Sequence, residues 1–109
     1  MKIGQNASAD KAIRDRMPSR RASQNIAFER DNLKYQMTVG HYPDGRPGEI
    51  FLNAEHANSL LDVLAHDAAI LASLALQYCA PLDVITHALK RDAQGTAASP
   101  IGAALDQIK

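Results

Sequence analysis

Residues 33–39 alternate without a break. Leu33, Tyr35, Met37 and Val39 fall on one side, and Lys34, Gln36 and Thr38 on the other. That period of two describes a strand with one face in a core and one in water, the pattern of antiparallel sheets. It also requires neighbouring strands, and the flanking sequence offers two. Upstream, Ile26 and Phe28 alternate with Asn25, Ala27 and Glu29, and Asp31-Asn32 supplies residues that tolerate positive φ in a tight hairpin. Downstream, Tyr42-Pro43-Asp44-Gly45 has the chemistry of a turn, with Pro43 presetting φ and Gly45 accepting a left-handed conformation. A short strand over 49–52 follows, with Ile50 and Leu52 on the buried face and Phe51 opposite.

The second half changes period. Ser59 with Asp62 forms a helix-starting pair, and Leu60, Leu64, Ala68, Leu71, Ala75 and Tyr78 recur at helical spacing over 59–78. Leu61, Ile70, Leu74 and Leu76 add apolar groups on other faces, so this helix is expected to be largely buried. Leu64, Ala68 and Leu71 are the expected contacts of the alternating strand. Pro81 is placed at the first position of a second helix, with Leu82, Ile85 and Leu89 as its stripe and Lys90 and Arg91 at its C-terminal end. After a break at 93–95, Ser99-Pro100 starts a third helix carrying Ile101, Ala104, Leu105 and Ile108.

The expected fold is therefore α+β: a three-stranded antiparallel meander followed by three helices packed on one face. At 109 residues there is room for one domain. Residues 23–109 are assigned to it, and residues 1–22, polar and without sustained period, to a flexible basic arm carrying Arg14, Arg16, Arg20 and Arg21. Only two phenylalanines and three tyrosines are present, so the core is aliphatic. A formal net charge of zero argues against a long-range pull onto nucleic acid or anionic membrane. No uninterrupted apolar run of about 18 residues and no apolar leader core are apparent, which makes a cytoplasmic protein the expectation.

Few residues suggest chemistry. A single cysteine, Cys79, rules out an intrachain disulfide and a cysteine-based zinc site, and is expected to be buried and inert at a helix corner. His66 lies four residues after Asp62, the spacing of a surface pair, and no nucleophile is tied to it. Gly40, Gly45 and Gly48 do not open a helix, so no phosphate-binding loop is indicated. No catalytic residue, metal site or cofactor is assigned.

Three segments together resemble a known family: 17–21 (MPSRR), 39–52 (VGHYPDGRPGEIFL) and 73–82 (SLALQYCAPL). In order and spacing they resemble a stretch near the C-terminus of adenosylcobalamin (vitamin B12)-dependent ribonucleotide reductases. The tail at 97–100 is similar to the threonine-serine-cysteine-proline-aspartate (TSCPD) signature of related domains. The resemblance implies an accessory module rather than an enzyme. The family's radical chemistry sits in a large barrel that a chain this short cannot contain, and the paired redox cysteines of its tails are absent. Where this sequence has Cys79 the family pattern has glycine, which would end a helix in the left-handed region.

A protein partner is thus the expected ligand, either a ribonucleotide reductase or a second copy. Arg20, Arg21, Tyr42, Asp44, Arg46 and Glu49 are the candidate partner-binding residues, on an arm and a loop displayed beside the sheet. Asp62, His66 and Gln77 form the reserve candidate. Two alternatives remain open. One is a nucleic-acid-binding module using the arm with Lys34, Arg46, Lys90 and Arg91. The other is a phage- or mobile-element-encoded inhibitor of a host protein.

Overall fold

A computed structural model describes residues 13–108. Its sheet has the strands β1 (Ser23–Arg30), β2 (Leu33–His41) and β3 (Pro47–Ala54) in sequential antiparallel order. The helices α1 (Leu60–Gln77), α2 (Leu82–Ala88) and α3 (Pro100–Asp106) follow. The protein is α+β, with the meander and the three helices expected from the sequence.

The local chemistry explains each corner. Asp31 and Asn32 both have positive φ, 51° and 62°, the two-residue turn whose twist matches the flanking strands. At the second turn Gly45 has φ 94° and donates its N–H to the Tyr42 carbonyl at 2.8 Å. Ser59 caps α1 by accepting the Asp62 N–H at 3.2 Å, and Ser99 caps α3 by accepting from Gly102 at 3.1 Å, with Pro100 just inside.

The core lies between one face of the sheet and the helices. Tyr35, Met37, Val39, Ile50 and Leu52 supply the sheet side, and Ile101, Ala104 and Leu105 of α3 join them. The α1 side corrects the sequence-based expectation. Leu64 and Leu71 do not meet the sheet; both are exposed, and Ala68 is only half-buried. The face against the sheet is Ala65, Ala69, Ala72 and Leu76. Small side chains let α1 approach β3 closely enough for polar atoms to bond its outer edge. Ser73 Oγ accepts from the Ile50 N–H at 2.8 Å, and Asp62 Oδ1 accepts from the Ala54 N–H at 2.8 Å. Those bonds favour this face turning inward, because a helix covering β3 without acceptors would leave its amides buried and unpaired. Leu71→Ala should accordingly change the stability of the folded monomer by no more than about 0.5 kcal/mol, the usual range for surface positions.

The expectation for α2 is corrected as well. α2 stops at Ala88, with Pro81 as its N-cap rather than its first residue. Lys90 and Arg91 thus lie beyond its end, and Arg91 grips the Asp106 carboxylate of α3 through two bonds of 2.9 and 2.8 Å. α1 also has the length and mean hydropathy of a membrane span, although Asp62, His66 and Asp67 interrupt its apolar run, as the sequence-based expectation has it. Here a third of it is buried as the core helix.

Asp62 is the one carboxylate buried among the described residues. Its second oxygen accepts the Asn58 N–H at 2.9 Å, so one side chain ties the end of β3 to the start of α1. The backbone N–H groups of Ala54 and Asn58 hold its pKa below the ordinary aspartate value. A depressed native pKa contributes stability that is complete above the unfolded-state value and is lost as pH falls through the native one. Between about pH 6 and about pH 2.5 the melting temperature of the wild type should therefore fall further than that of Asp62→Asn. Equal acid losses in thermal melts would show that Asp62 carries none of the effect.

Candidate protein-binding site

The residues proposed from sequence converge on one end of the sheet. Tyr42 begins the β2–β3 turn and is buried. Its hydroxyl donates to the Asp15 carbonyl, and the Arg46 guanidinium lies 4.5 Å above its ring. Burial, reinforced by the Asp15 charge, raises the Tyr42 pKa. Arg46 also pairs with Asp44 at 2.7 Å and Asp15 at 3.3 Å. Asp44 accepts the Arg46 N–H at 3.0 Å as well, and these contacts, the backbone bond first, lower its pKa. Glu49 takes two bonds from Arg21, at 2.8 and 2.9 Å, and Arg21 donates a third to the Pro18 carbonyl at 2.7 Å. Gly40, opposite Glu49 in the register, leaves space for this carboxylate; a Cβ there would come within 2.5 Å of its oxygen.

Five of the six candidates thus have partners inside the protein. Arg20 is exposed and has no polar partner among the described residues. Residues 1–12 of the expected arm lie outside the described residues. Residues 13–22 run against the body of the domain. The Asp15 N–H donates to the Gln77 carbonyl at 2.7 Å, and Arg14 Nε donates to Gln77 Oε1 at 2.5 Å. Gln77, buried at the end of α1, passes its own N–H to the Gly48 carbonyl at 2.8 Å. Met17 and the Tyr42 ring both press on Gly48, where a Cβ would overlap them. Sequence reasoning missed Asp15 and Met17, which lie in a stretch without period. Gln77 was in the reserve candidate for its helix position, but it stands about 22 Å along α1 from Asp62 and does not share a surface with it.

Beyond Gln77, α1 ends in a Schellman motif. Cys79 donates to the Leu76 carbonyl and Ala80 to the Ala75 carbonyl, both at 3.0 Å. Cys79 has φ 71°, the left-handed conformation that the glycine of the family pattern would adopt freely. It is exposed, not buried as expected. Cys79→Gly should raise stability by roughly 0.5–1 kcal/mol, read as an upward shift in the denaturation midpoint. No change would show that the strain is relieved elsewhere.

Of the eight basic residues proposed for a phosphate backbone, Arg21, Arg46 and Arg91 each face a carboxylate. Among the described residues no three of His, Cys, Asp or Glu come together as metal ligands.

Comparison with known proteins supports the resemblance. Over 77 residues the chain is 35% identical to the vitamin B12-dependent ribonucleotide reductase of Rhodopirellula baltica. The reductase of the same name from Bradyrhizobium diazoefficiens is 37% identical over 70 residues, and that of Agrobacterium fabrum 31% over 75. The chain is homologous to a small region of vitamin B12-dependent ribonucleotide reductases. The three matches take in 71%, 64% and 69% of this chain. They cover only 7%, 6% and 6% of those reductases. No protein-family model matches the chain, and no solved structure does. Residues 97–100 have structural duties here. Ser99 caps α3, and the Ala97 carbonyl accepts from Arg30 at 2.7 Å.

Proposed function

We propose that this protein is a non-catalytic accessory module that binds a large reductase polypeptide in the cytoplasm and regulates it. The observation that carries the reading is the proportion of the match: two thirds of this chain corresponds to 6–7% of each reductase. A module of that descent retains a reason to meet the rest of such an enzyme. Arg20 is the one candidate there whose donors are uncommitted, so it is the anchor that a partner carboxylate would take.

The test is calorimetric titration of this protein into a purified vitamin B12-dependent reductase from the same organism, with nucleotide reduction assayed alongside. Saturable binding and a changed reduction rate are expected. Arg20→Ala should weaken binding without altering the melt. Absence of both binding and any effect on reduction overturns the reading.

A further inference from the structure

α1 is apolar over most of its circumference, a composition that ordinarily means burial on more than one side, with Asp67 as the charged group flanking the outer arc. Its inner arc meets the sheet. Its outer arc presents Leu60, Leu64 and Leu71 at 75%, 58% and 68% exposure, with Val63, Ile70 and Tyr78 also exposed. Beside this ridge a groove runs between α1 and the two later helices. It holds two hollows of about 250 Å³ each. Leu71 forms the ridge-side wall of one, with Ala75, Ile85 and Leu89 around it, and Leu64 forms that wall of the other, with Leu61, Ala65 and Pro100. Ala68 and Ile101 belong to both and form the saddle between them. Ridge and groove therefore share one period of seven residues.

We propose that this face pairs with a second copy of the chain about a two-fold axis parallel to α1. Such an axis lays the ridge of each protomer into the groove of the other at equal height. The partner's Leu71 enters the hollow beside Ala75, and the partner's Leu64 the hollow beside Leu61, as knobs entering holes at heptad spacing. The match of ridge to groove within one surface is what selects a second copy, because an interface between identical subunits must be complementary to itself. An antiparallel pairing would set ridge on ridge and leave the hollows empty. It would also place the two Asp67 side chains on the same flank near the axis, whereas the parallel axis sends them to opposite flanks. α1 has 18 residues, about 27 Å of helix. A contact of that length and two helices wide approaches the roughly 800 Å² per partner of a standard stable interface. This dimer does not depend on any reductase partner, and either can be absent without the other.

Sedimentation equilibrium of the purified chain from about 5 μM to about 500 μM tests it, the range in which modest interfaces dissociate. The apparent mass should rise from 11.8 kDa towards twice that value. The double change Leu64→Glu/Leu71→Glu should hold the mass at one chain throughout, with an unchanged circular dichroism spectrum. Should that variant not fold, the milder Leu71→Gln should weaken association at least about tenfold, some 1.4 kcal/mol. For the orientation, Leu60→Cys in a Cys79→Ala background should be cross-linked by a short bis-maleimide, since the axis brings the two positions 60 to one height. A wild type of one-chain mass at the highest concentration overturns the proposal. So does a dimer unaffected by the ridge variants, or one in which positions 60 do not link.

Discussion

Leu52→Ala should be among the most damaging single changes to the fold, lowering stability by about 2–5 kcal/mol. Leu52 is fully buried on β3, opposite Met37 in the register and beneath the alanine face of α1. The alanines above it cannot reach down to refill the space, and the bonds from Asp62 and Ser73 to β3 hold α1 at its distance. A cavity that does not collapse adds to the transfer cost of the lost methyl groups. For a domain of this size the melting temperature should drop by roughly 10–30 °C. Val84→Ala on α2, which is exposed, serves as the control and should stay within about 0.5 kcal/mol. Equal effects of the two substitutions would contradict the core described here.

The second large effect is expected at Gly48. The flank of this residue is occupied by the Tyr42 ring and the Met17 sulfur, and its carbonyl is held by Gln77. An added methyl in Gly48→Ala must displace both neighbours. Met17 can swing away, but Tyr42 is held by Asp15 and Arg46. Overpacking of this kind costs about 1–3 kcal/mol, and it should also release residues 13–18 from the domain. The readout is limited trypsin digestion: cleavage after Arg14 and Arg16 should become faster than in the wild type. Combining the change with Met17→Ala should restore part of the lost stability. Unaltered cleavage in Gly48→Ala would show that this segment is not anchored through Tyr42 and Gly48.

The sheet was readable from local chemistry because every signal in it is local. Alternation sets which side of β2 is buried, and Asp31-Asn32 and Pro43-Asp44-Gly45 dictate turns through their own φ preferences. Ser59 and Ser99 mark helix starts in the same way, by a bond spanning three residues. The family resemblance was equally legible, since it rests on short runs such as 42–52 and 73–82.

The orientation of α1 was not readable. Apolar residues ring the helix, so periodicity offers two stripes, and the stripe of larger residues was the wrong one to place inward. The decision comes from β3: its unpaired Ile50 and Ala54 amides need acceptors, and only the face bearing Asp62 and Ser73 supplies them. That face is lined with alanine because a larger side chain would hold those acceptors out of reach.

The fate of the candidate arginines was likewise tertiary. Arg21 and Glu49 are 28 residues apart in the chain, and Arg46 and Asp15 are 31 apart. Nothing in a sequence separates a cation free to bind a partner from one already spent on a distant carboxylate. The sequence by itself determined strand order, turns, the starts of α1 and α3, and ancestry, all set by neighbours within a few residues or by short motifs. Only the packed structure decided which helix face is covered, which charges are free and which apolar ridge is left facing water, because each of those depends on groups that meet only after the chain has folded.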